Sequence, residues 1–269
     1  MLNVSEALPE LAPEVTTSPE GYPLLRPRAQ WFSTGGKGIV AGLLDTGIDP
    51  QVPDLAGADL IVRDFAPDSP GDPGWREHGT HSATLFLAQG QTRLRGLAPH
   101  ARLSAARVVS HDGVALPSAV VAALDWLLAA GAEVIAIPLG DPVVDGTIAA
   151  KLAEGAARGV LFFAAAGNCY PDPLLFPASD PQVIAVGAAD EEGVLLPDCS
   201  RYPRLDLVVA GREVPAWVNA ATIATRRGSS VACVVAAAVA TLALSARAIR
   251  RTRADRMSML ALLRGGHAA

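Results

Sequence analysis

Gly38-Ile39-Val40-Ala41-Gly42-Leu43-Leu44-Asp45-Thr46-Gly47 is the stretch that decides the fold. A continuous apolar run ends abruptly at a carboxylate and a turn. A strand buried on both faces reads this way, whereas a strand with one wet face alternates apolar and polar residues. Runs of the same kind recur at residues 59–64, 101–109, 133–139, 160–166 and 183–188. Helical stretches lie between them at 79–89, 117–130 and 147–158, and Gly131 and Gly159 stand just past two of their ends as C-cap signals. Alternating strands and helices predict an α/β fold of three layers, a mostly parallel central sheet with helices on both faces. Sites in such folds form at the carboxyl ends of strands, so Asp45 and Asn168, each just after a strand run, become candidates.

The flanking segments are organised differently. Residues 1–30 carry scattered prolines and no sustained period and read as an N-terminal surface arm, followed by one domain over 31–269. Residues 203–215 read as a surface strand and turn, and 218–224 lead into Gly228-Ser229-Ser230. The apolar stretch 231–246 is alanine-rich and shorter than the ~20 residues that span a bilayer, so it reads as a buried helix. The arginines of 247–264, with Met257, Met259, Leu260 and Leu263, read as an amphipathic helix docked by its apolar side.

Composition narrows the function. The chain has 269 residues, half of them hydrophobic, and a formal net charge of −5, which gives no basic surface for nucleic acid. No apolar segment calls for a membrane, and the N-terminus lacks the pattern of a secretory signal. Three cysteines, Cys169, Cys199 and Cys233, form no C-x-x-C motif and fit free thiols in a reducing compartment, so a cytoplasmic location is expected.

Chemistry-bearing residues appear in the order Asp45, His78, Asn168, Ser230. Asp45, Asn168 and Ser230 each have a bland reading: a turn carboxylate, a turn amide and an N-cap serine. Together they supply what acyl transfer needs. A hydroxyl becomes a nucleophile when a histidine takes its proton, a carboxylate orients that histidine, and an amide beside a helix N-terminus holds the oxyanion. His81, one helical turn from His78, reads as a packed structural histidine.

The segments Leu43-Leu44-Asp45-Thr46-Gly47, His78-Gly79-Thr80-His81, Ala164-Ala165-Ala166-Gly167-Asn168 and Gly228-Ser229-Ser230-Val231-Ala232 resemble the four signature segments of the subtilisin-like serine proteases, the subtilases. The resemblance covers roughly residues 38–245. It implies the subtilisin-like fold, Asp45 orienting His78, His78 as general base and acid, Ser230 as nucleophile and Asn168 at the oxyanion. It also places His111, Asp112 and Gly113 on a strand that pairs with substrate, Leu139 and Gly140 on a groove wall, and Leu175 at the base of the specificity pocket.

Departures from the family pattern are specific. The wall reads Ala136-Ile137-Pro138-Leu139-Gly140 where the family has Asn-x-Ser-Leu-Gly, which removes a side-chain amide and a backbone donor. Leu175 replaces a frequent glycine and predicts a shallow pocket for a small residue before the cut. Asp54 resembles a family calcium ligand, but the facing loop Gln89-Gly90-Gln91-Thr92-Arg93 offers no carboxylate, so neither a metal nor any cofactor is expected. The expected activity is a serine endopeptidase working through an acyl-enzyme. Its expected partner is a peptide or protein substrate, with restricted processing of a precursor in a maturation pathway as the narrower role. The alternative is a catalytically impaired peptide-binding scaffold. A metal hydrolase using Asp45, His78 and His81 ranks last, since His-Gly-Thr-His is not a zinc helix.

Overall fold

The computed structural model describes residues 2–7, 16–68, 73–210, 214–246 and 255–265. Among the described residues there are eleven strands, β1 Leu2–Asn3, β2 Val40–Asp45, β3 Leu60–Asp64, β4 Leu94–Arg95, β5 Arg102–Arg107, β6 Val134–Ile137, β7 Leu161–Ala165, β8 Val183–Ala189, β9 Leu207–Ala210, β10 Val214–Asn219 and β11 Thr222–Arg226. The helices are α1 Ala29–Phe32, α2 Glu77–Leu87, α3 Pro117–Ala129, α4 Gly146–Ala157, α5 Ser229–Ser245 and α6 Arg256–Leu263. Seven strands form one parallel sheet in the order β3-β5-β2-β6-β7-β8-β9. Its central strands are buried along nearly their whole length, as their unbroken apolar runs require. Helices α2 and α5 pack together on one side of the sheet and α3 with α4 on the other, which makes the three layers.

Helix α5 is the centre of the molecule. Of its residues, those from Val231 to Leu244 are all buried. Alanine and valine let its backbone approach β6, β7 and β8 closely, and each buried Val or Leu contributes ~1.5–3 kcal/mol. The sequence reading placed this helix correctly but took residues 203–215 for surface. Leu207 and Val208 are instead fully buried in β9, the last strand of the sheet. What disguised this strand is Asp206, a buried carboxylate that accepts hydrogen bonds from the Ala185 N–H, Arg204 and Arg256. Arg256 thereby fastens α6 to the sheet, and Met259, Leu260, Leu262 and Leu263 are buried beneath it, while Met257 stays exposed. The arginines at 247–253 lie outside the described residues. In the N-terminal segment, Leu24 and Leu25 are buried against β9, where Leu24 pairs with Val208.

Asp54 is fully buried in a short 3-10 turn, Pro53–Leu55. One carboxylate oxygen accepts the Thr92 N–H at 2.7 Å, and the other accepts from Arg93, Leu94 and the Trp217 indole at 3.1, 2.7 and 2.8 Å. Burial pushes this carboxyl's pKa up, but the indole and backbone donors outweigh burial and hold it at about 2. A cation needs oxygen ligands, and here the loop turns its N–H groups inward, so the residues present do not fit calcium at Asp54. A chelator should leave the melting temperature unchanged. Asp54→Asn should lower stability by about 2–4 kcal/mol, since one oxygen of the pair becomes a donor facing donors. Because the folded pKa is depressed, the carboxylate's contribution is present above pH ~4 and lost as pH falls toward 2. Calorimetric melts with and without chelator, and across pH, check all three.

Candidate active site

Asp45 ends β2, and the turn after it brings α2 onto the strand. Gly79 makes this approach possible: a Cβ there would stand 2.1 Å from the Gly47 carbonyl oxygen. The Gly79 N–H also donates to the Thr46 hydroxyl at 3.1 Å, and Gly47 itself turns the chain at φ 103. His78, in the first turn of α2, is thus carried to Asp45, and its Nδ1–H donates to Asp45 Oδ1 at 2.6 Å. The Thr46 N–H donates to the same oxygen at 2.7 Å. The bond to Nδ1 leaves Nε2 of His78 as the ring nitrogen that faces away from the carboxylate.

Among the described residues, Asp45 Oδ2 is buried with no hydrogen-bond partner. The paired register of β2 and β6 ends with Leu43 opposite Ala136, before Asp45 is reached.

Electrostatics separate the two histidines. The Asp45 carboxylate raises the pKa of His78 against an opposing effect of burial, the hydrogen bond to Asp45 adds to the rise, and the nearby Arg226 lowers it. His81 is buried, bonds through Nε2 to the Val214 carbonyl at 3.0 Å, and is held by burial at about 4. It is a neutral structural histidine at pH 7 and has no access to Asp45.

Ser230 lies in the first turn of α5 and is half-buried. Gly228, at φ 114, precedes the helix and offers no side-chain cap, which leaves the first-turn N–H groups available. The Ser229 N–H donates to Asn168 Oδ1 at 3.0 Å, and the Ser229 hydroxyl accepts from the Gly167 N–H at 3.2 Å. Because the amide oxygen of Asn168 is taken by a donor, its NH₂ group is the end that remains free beside the Ser230 N–H. A Cβ on residue 228 would stand 3.2 Å from that NH₂ nitrogen, so glycine at 228 gives the amide its place.

The elements that carry Ser230 and His78 are tied together. Helices α2 and α5 pack together, and Arg226, four residues before Ser230, donates to Glu77, the neighbour of His78, at 3.2 Å. Among the described residues the Ser230 hydroxyl and His78 Nε2 form no hydrogen bond with each other. Such contacts are often open in a site without substrate and close in the complex.

The six residues expected at a substrate groove divide. Gly113, Leu139 and Gly140 line one cavity of about 260 Å³, together with Val109, Ile148 and Phe176. Leu175 stands between two glycines, and a Cβ on Gly140 would meet it at 2.6 Å and one on Gly167 at 2.9 Å. Its side chain therefore occupies the space next to Asn168. His111 and Asp112 do not line the cavity. His111 is exposed and bonds to Asp68 through Nδ1 and its N–H, while Asp112 accepts from Ser110 in a tight turn with Gly113 at φ 83. The Asp68 latch to His111 and the buried Arg107 was not foreseen, because residues 64, 68, 107 and 111 meet only through the β3–β5 pairing.

The model of the Subtilase family matches residues 36–262. M-protease of Shouchella clausii (strain KSM-K16) is 31% identical over 238 residues, covering 85% of this chain and 61% of that protein. The chain therefore spans about three fifths of that relative's length. Intracellular serine protease of Paenibacillus polymyxa is 28% identical over 229 residues, 81% of this chain and 70% of that protein. Among solved structures, a mutant of the protease domain of PatA superposes with a TM-score of 0.71 at 27% identity, covering 86% of this chain and 97% of that one.

Two outcomes follow for the site. Gly79→Ala should separate His78 from Asp45 and destabilise the fold by roughly 1–3 kcal/mol through overpacking, read as a lower melting temperature. A histidine NMR titration should find His78 protonated to a pH above 6.5, and His81 only near 4, with Arg226→Gln moving His78 further up.

Proposed function

The chain belongs to the subtilase family, and from that premise we propose that it is a serine endopeptidase in which Asp45, His78 and Ser230 act as a triad. The 2.6 Å bond between His78 and Asp45 beside the N-terminus of α5 carries the reading. In the proposed reaction Ser230 Oγ attacks the scissile carbonyl as its proton passes to His78 Nε2. Asp45 holds the imidazole in the tautomer that can accept it and stabilises the imidazolium formed. The tetrahedral oxyanion lies between the Ser230 N–H and the Asn168 NH₂ group. His78 then returns the proton to the leaving nitrogen, and water releases the acyl-enzyme by the same steps in reverse order.

The substrate is a peptide that runs past the cavity of Gly113, Leu139 and Gly140 and places a small residue over Leu175. Processing of a precursor peptide, over bulk digestion, is the narrower form of this proposal. Free cysteines at 169, 199 and 233, and an intracellular serine protease among the relatives, support a cytoplasmic setting. The scaffold alternative draws on the groove wall changed at Ala136 and Pro138, and on Asp45 Oδ2, which has no hydrogen-bond partner among the described residues.

Mass spectrometry of a proteome-derived peptide library decides between the two. Cuts after Ala, Gly or Ser by the wild type, absent with Ser230→Ala, are expected; an intact library supports the scaffold. Asn168→Ala should reduce kcat by about 10²–10³, a magnitude established on subtilisin itself. Leu175→Gly should raise kcat/KM for peptides with Phe before the cut by about tenfold or more. Equal cleavage after Phe and Ala by the wild type would contradict the role given to Leu175.

A further inference from the structure

The cavity lined by Gly113, Leu139 and Gly140 lies on one side of Ser230, with Leu175 and Asn168 between them. The other side is walled by the first turn of α2 and the last residues of β11, held together by the Arg226–Glu77 ion pair. His78 belongs to this second wall. Since the imidazole gives its proton to the leaving nitrogen, the released half of the substrate runs along it.

The charges on this wall are unequal. Arg226, and Arg76 beside Gly47, stand against Glu77 and Asp49. Asp49 is spent on backbone donors, accepting from the Gln51 and Ala220 N–H groups. Glu77 accepts from Arg226 and from the Asn219 amide, and among the described residues Arg76 has no carboxylate partner. On the cavity side the rim instead carries Asp112 and Asp141, both exposed. The potential across the site thus rises from the cavity toward the leaving side.

Arg226 is the arginine placed to read a ligand. Its side chain is 36% exposed and uses one terminal nitrogen on Glu77, so the rest of its planar donor fork is open. It is also close enough to His78 to lower its pKa. Glu77, itself 38% exposed, can return to solvent at little loss. We propose that the leaving side of the scissile bond is an acid-selective subsite, in which Arg226 takes a carboxylate from the first residue released and displaces Glu77. This rests on the endopeptidase reading above and adds a selectivity that reading does not require.

The test uses quenched peptides with one apolar first half, Ala before the cut, and Glu, Gln, Ala or Lys as the first released residue. The wild type should cut the Glu peptide roughly tenfold faster in kcat/KM than the Lys peptide, with the ratio shrinking as salt rises. Two variants should move that ratio in opposite directions. Arg226→Gln should bring it near one, and Glu77→Gln, which frees the guanidinium, should raise it above the wild-type value. A merely structural ion pair would shift both variants alike. Equal cleavage of the Glu and Lys peptides by the wild type, or an unchanged ratio in Arg226→Gln, overturns the subsite and leaves the endopeptidase reading standing. A wild type that cuts none of the peptides or the library overturns both.

Discussion

Everything at this site depends on how closely a helix can approach a strand end. His78 reaches Asp45 because α2 rests on the Asp45-Thr46-Gly47 turn with no Cβ at residue 79 between them. The sheet supplies a rigid carboxylate, buried and immobile at the end of β2, and the helix supplies the imidazole on its first turn. Neither element alone has a reactive geometry. Their contact also sets the electrostatics, since it is the neighbouring carboxylate that raises His78 against its burial while His81, lacking such a partner, stays neutral.

The second constraint is the start of α5. A helix buried around its whole circumference cannot shift without disturbing β6, β7 and β8, so its first turn is fixed as firmly as the sheet. Gly228 leaves that turn without a side-chain cap, and Asn168 and Gly167 from the end of β7 make the connection instead. The same bonds that hold the helix start also orient the Asn168 amide. Stability and the proposed oxyanion binding share one set of contacts, which is why a small change at residue 228 or 229 would be felt in both.

The layered fold was legible in the sequence, and the four proposed site residues could be nominated from it, because each depends on local pattern: apolar runs that stop at a turn, or a serine after glycine before a long apolar helix. What escaped the sequence reading depends on contacts between distant residues. β9 hides behind Asp206, whose charge is neutralised by Arg204 and by Arg256 fifty positions on. The donors that surround Asp54 come from residues 92–94 and from Trp217. The bonds of Asp68 to His111 and Arg107 likewise join residues far apart in the chain.

The central claim is that Asp45, His78 and Ser230 act as one chemical unit. It is tested most directly by intact-mass analysis of the protein after reaction with a fluorophosphonate, followed over pH. A single adduct on Ser230 is predicted, forming faster as pH rises through the pKa of His78 and suppressed in His78→Ala. No adduct, or an adduct whose rate is indifferent to His78, would contradict it.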